Sequence, residues 1–169
     1  AIADMILKGK GETSQDHFIY GSTLSADGLP DKTFDFMLSN PPYGKSWKTD
    51  AEKMGGKSGI KDPRFVIGTN EDEQEETAAK KKKAKNTDEF SMLSATGDGQ
   101  LLFLLNNISK MKEGTDLGSR IVEVHNGSSL FTGDAGQGES NARRHMIERD
   151  LVEAIIALPE GMFYNTGIA

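Results

Sequence analysis

An α/β fold with a mostly parallel sheet and flanking helices is what this chain of 169 residues predicts. Three observations predict it. Short apolar runs at 34–38, 119–124 and 151–158 read as buried strands. Helical patterns at 101–111 and from about 140 to 150 alternate with them. The first run stops at Ser39-Asn40-Pro41-Pro42-Tyr43. In open α/β sheets, ligands bind beyond the carboxyl ends of strands, where this stretch would lie.

Residues 1–10, AIADMILKGK, carry Ile2, Met5 and Ile6 on one helical face. Glycines and a Ser-Gln-Asp turn lead to His17-Phe18-Ile19-Tyr20, a short strand candidate ending at Gly21-Ser22-Thr23-Leu24. Gly28 and Pro30 give turn chemistry ahead of the central strand. From Gly44 to Gly97 the apolar periodicity is lost. Five acids lie within 71–76, and five lysines lie between Lys80 and Lys85. Such charge blocks predict a mobile, solvated loop over about 46–96, with Asp62-Pro63-Arg64-Phe65 as an anchor point inside it.

Leu101, Leu102, Leu104, Leu105, Ile108 and Met111 then follow at helical spacing. Lys110 and Lys112 suit the last turn, and Gly114 and Gly118 end the helix. The strand SRIVEV at 119–124 leads into a glycine-rich loop at 125–138 that contains Leu130-Phe131. Ser140 or Asn141 caps a helix through Arg143, Met146 and Ile147 to about Asp150. LVEAIIAL at 151–158 is the last strand, and Pro159-Glu160-Gly161 turns.

Composition excludes several classes. With no cysteine there is no disulfide frame, no thiolate chemistry and no zinc–cysteine site. His17, His125 and His145 match no metal-ligand spacing. No apolar run approaches a membrane span and no signal peptide is evident, so a cytoplasmic protein is expected. A net charge of −6 is awkward for a stand-alone nucleic-acid binder. Gly133 to Gly138 lacks the Gly-Lys-Ser/Thr of a phosphate loop, and no Ser, His and Asp spacing singles out a hydrolase triad.

Asn40-Pro41-Pro42-Tyr43 resembles the motif of S-adenosylmethionine-dependent methyltransferases that act on exocyclic or amide nitrogens, and the chemistry of those enzymes explains its residue types. Two prolines make the backbone after Asn40 stiff and extended. The Asn40 side-chain carbonyl and the Pro41 backbone carbonyl can both accept from one amino group. An aromatic amine is a poor nucleophile because its lone pair is delocalised into the ring. Two preorganised acceptors localise that pair and favour attack. The Tyr43 ring can stack on a flipped base and face a cationic donor. Read alone, the tetrapeptide also fits a Pro-rich turn; the strand before it and the blocks after it favour the site.

The second half narrows the resemblance. Asn126-Gly127-Ser128, Leu130-Phe131, Gly133, Leu158-Pro159 and Phe163-Tyr164-Asn165-Thr166-Gly167-Ile168 look like blocks of the modification (M) subunit of type I restriction–modification systems. The resemblance runs over 1–169, with the charged loop its weakest part. It implies a Rossmann-like methyltransferase fold and adenine N6 methylation of DNA. The methyl donor would be S-adenosylmethionine, and the partners a specificity (S) and a restriction (R) subunit. Asn40, Pro41, Pro42 and Tyr43 become the catalytic set, with Asn40 and Ser22 on the cofactor side.

Two departures qualify that set. Ser22 stands between Gly21 and Thr23 where the family usually has an acid, so the contact there carries no charge. The glycine-rich cofactor loop and the acid that grips the ribose are not among these residues and are expected upstream of Ala1. The chain is therefore expected to be a central part of one methyltransferase domain, lacking the first and last strands of the sheet. Two alternatives differ in class: a protein glutamine N-methyltransferase with the same Asn-Pro-Pro-Tyr chemistry, and a non-catalytic assembly subunit.

Overall fold

A computed structural model describes residue 7 and residues 18–68 and 90–163. β1 (Phe36–Ser39) and β4 (Arg120–Glu123) form a parallel pair, with Phe36 opposite Arg120 and Ser39 opposite Glu123. Between them come α1 (Lys48–Lys53), β2 (Val66–Ile67), β3 (Phe90–Ser91) and α2 (Gln100–Ile108). α3 (Gly138–Glu148) follows β4. β2 and β3 pair antiparallel in a separate two-stranded ribbon. Among the described residues the sheet is short, with one parallel strand pair and a single parallel bridge, Phe34 to Met111, where a longer parallel ladder was expected.

α2 is the core helix. Leu101, Leu102 and Leu105 are buried on it, with Leu102 fully so. They pack with Leu24, Trp47, Ala51, Ile60, Phe65, Val66, Met92 and Leu93, and with Ala142 and Met146 of α3. The helix ends at Ile108, earlier than its leucine pattern suggests, because the chain beyond it turns to serve β1. Phe34 N donates to Lys110 O at 3.0 Å, and the Ser119 hydroxyl donates to Phe34 O at 2.6 Å.

Several expectations are corrected. Residues 46–68 and 90–96 are not a solvated loop: they supply α1, β2, β3 and seven core side chains from Trp47 to Leu93. Those apolar residues come in ones, twos and threes among polar and glycine residues, too few together to mark a helical or strand period. The charged blocks at 71–76 and 80–85 lie outside the described residues. So does the helix expected over 1–10, apart from Leu7, and the block at 164–168. Phe18, Ile19 and Tyr20 form no strand; Tyr20 is fully exposed.

No ladder forms at 151–158 either, and Ile155 and Ile156 are 68% and 78% exposed. That run has strand composition, but no strand among the described residues lies alongside to pair with it. One exposed ion pair, Arg120 Nε to Glu153 Oε1 at 3.1 Å, ties it to β4.

α3 begins at Gly138, ahead of the expected cap at Ser140 or Asn141. A Cβ at Gly138 would stand 1.9 Å from Leu93 O, so only glycine lets the helix start this close to β3. Asn141 works inside the helix, its amide donating to Ser91 O at 2.8 Å. At the other end Leu151 N reaches Met146 O, Asp150 N reaches Ile147 O, and Asp150 takes φ +54°. This double closure is a Schellman motif with aspartate at the left-handed position.

Candidate active site

β1 and β4 run in the same direction, so their carboxyl ends share one edge. From β1 that edge receives Asn40, Pro41, Pro42 and Tyr43; from β4 it receives Val124 to Ser128. Asn40 is exposed, Pro41 is buried and Tyr43 is half-buried. The Tyr43 hydroxyl lies on the Asn40 amide oxygen and 3.1 Å from Val124 O. The tetrapeptide is thereby fastened across the parallel pair by its own aromatic residue.

Beneath it sits a small polar cluster. The Glu123 carboxylate, 3% exposed, accepts from Asn107 Nδ2 at 2.7 Å and pairs with His125 Nε2 at 2.9 Å. His125 Nδ1 is buried without a hydrogen-bond partner. Burial, and then the nearby negative charge of Glu123, push the Tyr43 phenol above its usual pKa of 10.0. Tyr43 therefore stays protonated at neutral pH and acts as a donor.

The loop after β4 is tied to the start of α2. Asn126 N donates to Gln100 Oε1 at 3.0 Å, and Gln100 Nε2 donates to Ser128 Oγ at 3.0 Å and to Asp98 at 2.8 Å. Asn126 Oδ1 caps the following turn through Ser128 N at 2.9 Å. Leu130 and Phe131 then project, 53% and 75% exposed.

Ser22 opens a turn in which its carbonyl accepts from Ala26 N at 2.9 Å. Among the described residues no hydrogen bond joins it to the Asn40–Tyr43 stretch. The turn itself is held by buried charge. Arg64 Nη1 donates to Thr23 O and Asn106 Oδ1, both at 2.8 Å, and Nη2 to Leu24 O at 2.9 Å. Nε and Nη2 also grip the Asp62 carboxylate, at 3.0 and 2.6 Å. Every guanidinium N–H thus has an acceptor. Lys110, buried at the end of α2, bonds Asp27 at 2.6 Å and Leu29 O at 2.8 Å. Burial alone would raise the Asp27 and Asp62 carboxyls. The Lys110 bond to Asp27, the Arg64 bonds to Asp62 and the neighbouring backbone N–H groups outweigh it, and both sit below the usual 3.8.

Sequence reasoning located the tetrapeptide but missed Glu123, His125 and Asn107. Glu123 alternates with apolar neighbours like any strand residue, and Asn106-Asn107 is hidden in a leucine run read as core. The Asp62–Arg64 anchor was legible, though not its reach to the turn at Thr23. Among the described residues no group of three His, Cys, Asp or Glu could hold a metal ion, and no helix is long and apolar enough to cross a membrane.

No curated protein and no solved structure matches the chain. A family model described as N-6 DNA methylase matches residues 1–169. An Asn-Pro-Pro-Tyr stretch at the carboxyl edge of a parallel strand pair agrees with that match over the whole chain, and the protein belongs to the N-6 DNA methylase family.

Proposed function

We propose that this chain is catalytic sequence of the modification subunit of a type I restriction–modification system. It would transfer a methyl group from S-adenosylmethionine to adenine N6 in DNA, on a Rossmann-like methyltransferase fold. The observation that carries the reading is the placement of Asn40-Pro41-Pro42-Tyr43 on an exposed sheet edge, at the end of a parallel strand. Asn40 Oδ1 and Pro41 O receive the adenine amino group, and the Tyr43 ring stacks on the flipped base. The chemistry the donor supplies is an electrophilic methyl on sulfonium. Asn40 and Ser22 would lie on the donor side of the site. A specificity subunit would supply sequence readout and most DNA affinity, which suits a chain of net charge −6. A restriction subunit completes the assembly, in the cytoplasm.

The test is transfer of labelled methyl from S-adenosylmethionine to adenine in duplex DNA by the methyltransferase containing this chain, with and without a specificity subunit. Asn40→Ala should lower turnover by about 10²–10³ with DNA binding and assembly retained. Turnover near wild type in that variant refutes the assignment of Asn40. Label on a protein glutamine instead of DNA would favour the amide-methylating alternative, and no transfer with intact assembly would favour a non-catalytic role.

A further inference from the structure

The Tyr43 hydroxyl touches two oxygens and has one proton to give. Its partners are Asn40 Oδ1 and Val124 O, the latter at 3.1 Å. Ladder geometry decides which needs it. Arg120 N donates to Asp35 O and Val124 N donates to Ser39 O, so β4 alternates donor and acceptor along β1 in parallel register. By that alternation the next bond would run from the amide of residue 41 to Val124 O. Residue 41 is proline and has no N–H. Val124 O is left without its ladder donor, and the phenol stands where that donor would be.

Asn40 is different, because its amide has a nitrogen to offer. The oxygen and nitrogen of the group are nearly the same size, so it turns over without steric cost. Turned over, Nδ2 donates to the Tyr43 oxygen while the Tyr43 proton goes to Val124 O. The chain of donors then closes, and Asn40 Oδ1 points away from the phenol.

We propose that the Tyr43 hydroxyl is a positioning group that fixes the Asn40 amide, so that Oδ1 and not Nδ2 meets the acceptor amine. The proposal rests on the reading of Asn40 as the amine-binding residue. Without the phenol the amide has no local reason to prefer one face, and half of its orientations present a donor to a donor. Burial and the Glu123 charge, which keep the phenol protonated, support the same arrangement. This role is separate from stacking, which needs the ring and not the hydroxyl.

Tyr43→Phe keeps the ring and removes the hydroxyl. In the methyltransferase containing this chain, kcat should fall about three- to tenfold, the scale of one net hydrogen bond, with KM for DNA unchanged. In 15N-labelled protein, the Asn40 side-chain N–H signals should move upfield and exchange faster in Tyr43→Phe; Asn40→Asp identifies those signals by their disappearance. Unchanged kcat, a loss that appears in KM for DNA, or unmoved Asn40 amide signals would each overturn the proposal. A wild-type enzyme that transfers no methyl to DNA would overturn the functional reading instead, and the amide signals would still decide this one.

Discussion

Replacing Arg64 with Met should unfold this chain more readily than any change at its surface. The side chain is 11% exposed and Asp62 is 23% exposed, so the pair is largely out of water. Its five N–H groups bind two backbone carbonyls, one buried amide and a carboxylate, joining the turn at Thr23-Leu24 to the anchor at 62–65 and to α2. Methionine fills similar space but leaves Asp62 without its cation and Asn106 Oδ1 without a donor. Breaking one side of a buried pair typically costs about 3–5 kcal/mol. The outer part of the Asp62 carboxylate still reaches water, so the lower end, about 3 kcal/mol, is expected. With a urea slope of about 2 kcal/mol/M, the midpoint should drop by roughly 1.5 M. Trp47, the sole tryptophan, is 3% exposed and bonded to Ala95 O, so its fluorescence reports core opening directly. Arg144→Met is the control, since the Arg144–Glu148 pair is more than half exposed and contributes about 0.3–0.5 kcal/mol. Equal midpoints for the two variants would refute the view that Arg64 organises the turn. Arg64→Lys should fall between them, keeping the charge but reaching fewer of these acceptors.

Other outcomes follow from the same geometry. Asp27 and Asp62 hold lowered pKa values when folded, so the folded state binds fewer protons than the unfolded one. Their stabilisation is present above 3.8 and lost as pH falls through the lowered values, and Asp27→Asn should flatten an acid-unfolding curve in that window. Asp150→Gly should stabilise the chain by about 0.5–1 kcal/mol in thermal melts, because glycine takes the φ +54° position without strain. Leu102→Ala should cost about 2–5 kcal/mol in the same assay, since the side chain is wholly buried between α2 and its neighbours. The 169-residue chain alone should bind S-adenosylmethionine weakly in calorimetric titration; a dissociation constant in the low micromolar range, about −8 kcal/mol, would show that a donor site lies within these residues.

What could be read from the sequence was what has a period or a stop. β1 and β4 were legible because dense apolar runs were ended by Asn-Pro-Pro or His-Asn-Gly, and α2 because its leucines repeat at helical spacing. The position of Asn40–Tyr43 at the end of β1 was legible because proline and asparagine stop an apolar run. Trp47, Ile60, Phe65 and Met92 were not read as core, because the helix and strands that bring them there are two to six residues long, too short to show a period. The run at 151–158 was misread for the converse reason: apolar composition says that a segment can pair, and pairing also needs a strand beside it. Glu123 and Asn107 meet only because a helix and a strand pack, and no spacing in the chain records a contact between elements.

Pro41 carries one consequence for how this protein can fail. The phenol of Tyr43 takes the place of a rung in the β1–β4 ladder, so the alignment of the two strands and the aim of the Asn40 amide are a single variable. A slip of one residue would exchange Met37 and Ser39 for Phe36 and Leu38 on the inward face, and would carry Tyr43 past Val124. Damage to the packing under α2, far from any ligand, can therefore silence the enzyme without disturbing a single residue of its motif. Inactive variants that still fold should be sought among core positions facing Met37 and Ile121 as much as at Asn40 itself.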